Sequence, residues 1–100
     1  MSRFQEILNG PLPVLVDMHA TWCGPCKALA PIIEEVARAT TGRMRVLKVD
    51  VDRNPQMARQ YQVRGVPTLL LFSGGKVVWR TSGVVPAGTI LEAVRTHTAQ

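Results

Sequence analysis

Apolar and polar positions along this chain change their period several times, and each change marks an element. Ser2 can cap a short helix running to about Leu8, which Asn9-Gly10-Pro11 stops. Val14-Leu15-Val16-Asp17-Met18 is an almost continuous apolar run, the pattern of a strand buried on both faces. From the residues at Cys23 to about Thr40, Leu29, Ile32, Ile33, Val36 and Ala37 keep helical spacing on one face, and Gly42 ends the element. Pro31 falls inside that helix and is expected to bend it. Arg45 to Val51 alternates as a second strand. Asn54-Pro55 reads as a cap followed by proline at the first helical position, opening a short helix to about Tyr61. Thr68 to Phe72 predicts a third strand, Gly74-Gly75 a hairpin turn, and Lys76 to Thr81 a fourth strand. Pro86 opens a last helix with Ile90, Leu91 and Val94 facing inward.

This order predicts an α/β fold, a mixed central sheet of about four strands flanked by helices. Its alternating part predicts parallel pairing through right-handed crossovers, and the hairpin adds an antiparallel edge. With 100 residues and no repeat, linker or low-complexity stretch, residues 1–100 are expected to form a single domain. The chain is 46% hydrophobic and 19% charged, which is globular composition. No apolar run approaches the roughly 20 residues that span a bilayer. The start, Met1 to Glu6, reaches a glutamate before any apolar stretch, unlike a secretory signal. A cytoplasmic, reducing compartment and no membrane partner are therefore expected. Twelve basic residues against seven acidic give +5, which favours acidic partners. The basic residues are scattered, and no array of stacking aromatics accompanies them, so nucleic acid is not an expected partner.

Candidate chemistry lies in Cys23-Gly24-Pro25-Cys26, which holds the only two cysteines. Helix positions i and i+3 lie about 5–6 Å apart, which suits a disulfide. At the helix entrance, unpaired N–H groups and the positive dipole end favour a thiolate at Cys23, making it the attacking nucleophile. Cys26, one turn inside, is expected to be the less exposed, resolving thiol. Pro25 restricts the loop and removes a donor, so Gly24-Pro25 tunes how readily the disulfide reduces. A purely structural disulfide over so short a loop would brace almost nothing. Zinc needs four ligands, and His19 and His97 lack ligand-pair spacing with the cysteines, so no metal is expected.

Asp17 is the one carboxylate in an apolar strand, six residues before the first cysteine. Burial raises a carboxyl's pKa and lets it carry a proton, as the base that deprotonates Cys26 must. A buried ion pair is the simpler reading, and Lys48 on the next strand serves both. Val66-Pro67 is a candidate cis peptide. A cis bond would leave the main-chain groups of Val66 beside the thiols, free to pair with an extended substrate.

Trp22-Cys23-Gly24-Pro25-Cys26-Lys27, with Val16-Asp17, Pro31, Lys48, Asp52, Asn54-Pro55 and Arg64-Gly65-Val66-Pro67-Thr68-Leu69 at matching spacing, resembles the thioredoxin family. Phe72, Gly75 and Gly83 match as well, and the likeness covers roughly residues 2 to 97. The resemblance implies a protein disulfide reductase working by dithiol–disulfide exchange. Cys23 is its nucleophile, Cys26 its resolving thiol, Asp17 and Lys48 its proton relay, and Pro67 its cis-proline. Trp22, Val51, Gly65, Val66, Gly83 and Val84, beside Gly24 and Pro25, would form the substrate groove. It also implies disulfide-containing protein substrates and a thioredoxin reductase as electron donor. No cofactor would be bound to this chain, NADPH and FAD acting indirectly through the reductase, and a monomer is expected. A thiol oxidant or isomerase, and a non-catalytic interaction module, are the alternatives.

The chain departs from the family at four points. Family members carry an extra strand before the first helix, and one residue precedes Ser2, so four strands are expected in place of five, with an edge to protect. His19 stands where a tryptophan is usual. Two residues after Asp17 on a strand, it can share that residue's face and is a candidate modulator. Ser82 replaces an apolar groove residue, and the positive net charge is unusual.

Overall fold

The computed structural model describes residues 2–99. Its elements are α1 (Arg3–Leu8), β1 (Val14–His19), α2 (Gly24–Ala39), β2 (Arg45–Asp50), α3 (Pro55–Gln60), β3 (Thr68–Ser73), β4 (Lys76–Ser82) and α4 (Ala87–His97). The four strands form one mixed sheet in the order β2-β1-β3-β4. β1 and β2 run parallel, joined by α2, with Val14 opposite Arg45 and Asp17 opposite Lys48. The helix α2 continues unbroken through Pro31.

The parallel crossover expected from the alternation is present in β1-α2-β2 and absent between β2 and β3. β3 lies antiparallel to β1, with Met18 opposite Thr68, and β4 is antiparallel to β3. The reason is the short α3, six residues, and the way it ends. Gln62 adopts a left-handed φ of 55°. The Gln62 N–H bonds to the Arg59 carbonyl at 3.1 Å and the Val63 N–H to the Ala58 carbonyl at 2.8 Å. This paired closure turns the chain back, and it re-enters the sheet from the end at which β2 left it.

Strand β1 is hydrogen-bonded on both edges and covered on both faces. On one face Leu15, Leu69 and Leu71 pack against Leu29, Ile33 and Val36 of α2 and Ile90 and Val94 of α4. On the other, Val14, Val16, Met18, Leu70 and Phe72 pack with Leu8 of α1, and Met57 and Ala58 of α3 lie against them. Each such side chain contributes about 1.5–3 kcal/mol on burial. Strand alternation puts Asp17 and His19 on the Leu15 face, beneath α2.

Ser2 caps α1, its hydroxyl accepting the Gln5 N–H at 3.1 Å. Asn54 does not cap α3 with its side chain. Its amide donates to the Asp50 carbonyl at 3.0 Å, tying the start of α3 to the end of β2. No described helix is long and apolar enough to cross a membrane.

The β3–β4 hairpin turns on Gly74 and Gly75, with φ of 60° and 82°. Both lie in the left-handed region that a two-residue turn of this hand requires. A Cβ at Gly75 would stand 2.5 Å from the Asn9 side-chain oxygen, whereas one at Gly74 would meet nothing within 4 Å. Gly74→Ala should therefore cost about 1–2 kcal/mol, the left-handed penalty alone. Gly75→Ala should cost more, and Asn9→Ala in that background should return the excess. A double-mutant cycle in denaturant measures the coupling, and additive values would show that Asn9 does not confine this turn.

Candidate active site

β1 delivers the chain to the start of α2 through a tight turn closed by the Cys23 N–H on the Ala20 carbonyl at 3.3 Å. Cys23 is extended, at φ −89° and ψ 114°, and takes the N-cap position of α2. Its sulfur accepts the Cys26 N–H at 3.1 Å, satisfying one of the donors every helix start leaves open. Pro25 comes next in the first turn, where a missing N–H costs nothing. The Cα atoms of Cys23 and Cys26 lie 5.2 Å apart and their sulfurs are joined in a disulfide.

Both cysteines are buried, and their order differs from the expectation. Cys23 is 3% exposed and Cys26 8%. Ala20, Cys23 and Cys26 form one buried cluster, and Val51 and Val66 pack against it. Cys26 also opens into a cavity below the helix.

The Val66–Pro67 peptide is cis. The Val66 carbonyl oxygen lies 3.7 Å from the Cys23 sulfur. Among the described residues, no turn, loop or cap bond uses the Val66 N–H or carbonyl. The loop is held from behind: the Thr68 hydroxyl, fully buried, donates to the Gly65 carbonyl at 2.7 Å. The Gly83 N–H bonds to the Pro67 carbonyl at 2.9 Å. Ser82 reaches the Thr68 hydroxyl at 3.2 Å, so this departure closes a local polar contact.

Trp22 is 70% exposed, with its indole N–H on the Asp52 carboxylate at 2.7 Å. That bond stands the ring beside an apolar hollow of about 230 Å³. Of the expected groove residues, Trp22, Val51, Gly65 and Val66 line this hollow. Gly24 and Pro25 lie exposed at the helix entrance. Gly83 and the exposed Val84 do not line it but sit beyond Pro67. Pro55, Ala58, Val63 and Arg64 complete its wall. Sequence patterning misses Ala58 and Val63 because both also pack against the core on the Val14 face.

On the other side of the disulfide, a cavity of about 260 Å³ brings together Cys26, Asp17, His19 and Lys48, with Thr21, Lys27 and Ala30 completing it. Asp17 is 3% exposed, and its Oδ1 has no hydrogen-bond partner. Burial lifts the Asp17 carboxyl above the ordinary carboxylate range, while the charges of His19 and Lys48 pull it back without cancelling the effect. Lys48 is exposed, and no ion pair among the described residues ties it to Asp17. No group of three or more His, Cys, Asp or Glu among the described residues is placed to hold a metal ion.

The bond this site is equipped to make and break is sulfur–sulfur, and that defines the class as a thiol–disulfide oxidoreductase. The family described as Thioredoxin matches residues 1–96, and the chain belongs to it. "Thioredoxin 1" of Nostoc sp. is 45% identical over 93% of this chain and 87% of that protein. A "Bifunctional thioredoxin reductase/thioredoxin" of Mycobacterium leprae is 48% identical over 90% of this chain and 20% of its own length. The structure of a single-substitution mutant of the thioredoxin from Halobacterium salinarum NRC-1 superposes with a TM-score of 0.89 at 34% identity, covering 100% of this chain and 87% of that one. The chain is accordingly a protein disulfide reductase of the thioredoxin family.

Asp17 makes stability depend on pH with a defined sign. Its folded pKa lies above the unfolded value, so the folded protein keeps a proton the unfolded chain has lost. Stability therefore falls as pH rises from the unfolded carboxylate range up through the folded pKa. Asp17→Asn, measured in the disulfide form, should gain on the parent with rising pH, with a slope up to about 1.4 kcal/mol per pH unit inside that window. Below about pH 4 the pH-dependent gain should vanish. Thermal melts across pH check this, and a constant offset at every pH would show that Asp17 does not titrate as a buried acid.

Proposed function

We propose that this chain is a single-domain, monomeric electron carrier of the cytoplasm that reduces disulfides in other proteins and is itself re-reduced by a thioredoxin reductase. The observation that carries the reading is the placement of Asp17, whose buried, unpartnered Oδ1 shares one cavity with Cys26. A base confined beneath the second sulfur serves the resolving half of a two-step exchange.

In the reduced protein the Cys23 thiolate is favoured by its position at the start of α2 and by the Cys26 N–H. It attacks one sulfur of a substrate disulfide, and the other substrate sulfur leaves as a thiolate that takes a proton from solvent. Asp17 then accepts the Cys26 proton, and the freed sulfur attacks Cys23. The mixed disulfide breaks, the second substrate sulfur leaves and is protonated, and Cys23–Cys26 closes. Two electrons and two protons have passed to the substrate. Lys48, opposite Asp17 in the sheet, supplies a nearby charge to the carboxylate and completes the relay.

Substrate lies along the hollow beside Trp22, Val51, Gly65 and Val66, with Gly24 and Pro25 at one side and Gly83 and Val84 at the other. The main chain of Val66, ahead of Pro67, pairs with an extended substrate segment. The exchange needs no cofactor on this chain; NADPH and FAD enter through the reductase. The fused reductase–thioredoxin relative supports that partner.

The reduction potential, equilibrated against thiol–disulfide buffers, tests the direction of transfer. A value near the roughly −270 mV known for thioredoxin supports a reductant, and one near the roughly −120 mV of a strong oxidant would replace it with oxidase work. Separately, Cys26→Ser should trap a mixed disulfide on Cys23 with a disulfide-containing protein, which Cys23→Ser should not. Equal trapping by both would overturn the division of roles.

A further inference from the structure

The cavity under Cys26 holds a second titratable group that the exchange just described does not use. His19 ends β1, on the same face as Asp17, and lines that cavity half-buried. The other charged groups facing it come from each packed element. Lys27 reaches the cavity from α2 and Lys48 from β2. Asp50 of β2 lies opposite His19 in the sheet register. Asp50 is engaged elsewhere: its carboxylate accepts the Asp52 N–H at 2.9 Å and lies 3.9 Å from the Arg53 guanidinium. Of these side-chain types, imidazole is the one whose ordinary charge change falls between pH 5 and 8.

We propose that His19 is a positioning residue for the resolving step, its protonation holding Asp17 ionised, and so able to take the Cys26 proton, on the acid side of neutrality. The inference rests on Asp17 being the base for Cys26.

The physics is a compensation between neighbours. A buried carboxyl tends to stay protonated as pH falls, and a protonated carboxyl cannot accept the Cys26 proton. An imidazolium lining the same cavity offsets that tendency, because a positive charge there favours the Asp17 carboxylate. As pH rises the imidazole loses its charge, the attraction lapses, and Asp17 becomes the stronger base. Proton affinity thus tracks pH, and the resolving step keeps a flatter profile than a lone buried carboxyl gives. The covalent step is unchanged: the Cys26 proton goes to Asp17, the Cys26–Cys23 bond forms, and the bond from Cys23 to substrate breaks.

Stopped-flow reaction of the reduced protein with dithiobis(nitrobenzoate) separates the two halves. The first release of coloured thiolate reports attack by Cys23, and the second reports resolution by Cys26. His19→Gln should slow the second phase at pH 6 several-fold, with the deficit shrinking towards pH 8.5. His19→Lys, which keeps the charge, should restore the rate at pH 6. In the disulfide form, NMR titration of the Asp17 carboxyl should show its midpoint moving up in His19→Gln. A deficit equal at both pH values, or an unmoved Asp17 midpoint, would mean that His19 only packs. Asp17→Asn run alongside separates the two ideas. If it leaves the second phase unchanged, the base assignment fails and this inference with it. If it slows that phase while His19→Gln does not, the inference about His19 alone is lost.

Discussion

Strand β1 is paired on both edges and covered on both faces, so Asp17 is buried in the folded protein with no protein partner at Oδ1. Much of the site's behaviour depends on that one buried carboxyl. A buried polar atom without a partner costs about 1–3 kcal/mol, a large fraction of a small domain's stability. The sheet register then matters, because it sets Lys48 beside Asp17 and leaves it exposed, close enough to bias the carboxyl and not to clamp it. The packing of α2 on the Leu15 face completes the arrangement by bringing Cys26 over the same cavity.

The second organising interaction is the bond from the Cys26 N–H to the Cys23 sulfur. Helix starts usually find an oxygen for this purpose, from serine, threonine, aspartate or asparagine. In this chain a sulfur fills the role, so one contact both finishes the helix and favours negative charge on the sulfur that the proposed exchange makes the attacking atom. Around it, two loops with no regular structure are fixed by individual hydrogen bonds. Trp22 is held through Asp52, and the cis Val66–Pro67 loop is backed by Thr68 and Gly83. These supports set Val51 and Val66 against the cysteine cluster.

Element types were legible from the residues because each carries its own period or punctuation. The alternation from Arg45, the helical spacing of Leu29, Ile33 and Val36, and the paired glycines at the hairpin each name an element within a residue or so of its end. What misled was information held outside the window. Strand alternation with helices suggested a parallel β3, yet a left-handed glutamine after α3 reverses the chain, a position where sequence pattern expects glycine. Asn54 has the composition of a cap, but its side chain donates to the Asp50 carbonyl and accepts no helix N–H. Position along a helix suggested that Cys26 is the more sheltered residue, whereas Cys23 is the more buried, in a cluster against which Val51 and Val66, distant in sequence, also pack.

The residues alone determined the chemistry. Two cysteines three apart at a helix entrance, one acid in an apolar strand and one Val-Pro peptide leave dithiol exchange as the use that employs them all. Composition and periodicity likewise determined an α/β sheet of about four strands, because burial on two faces and burial on one face leave different patterns along a chain. Only the tertiary structure decided which groups share a space: Asp17, His19, Lys48 and Cys26 come from β1, β2 and α2, and Trp22, Val51, Ala58 and Val66 meet at one hollow. Such groupings depend on strand order, strand direction and the face each helix covers. Those are settled by the joint packing of the whole core, to which no local stretch of sequence has access.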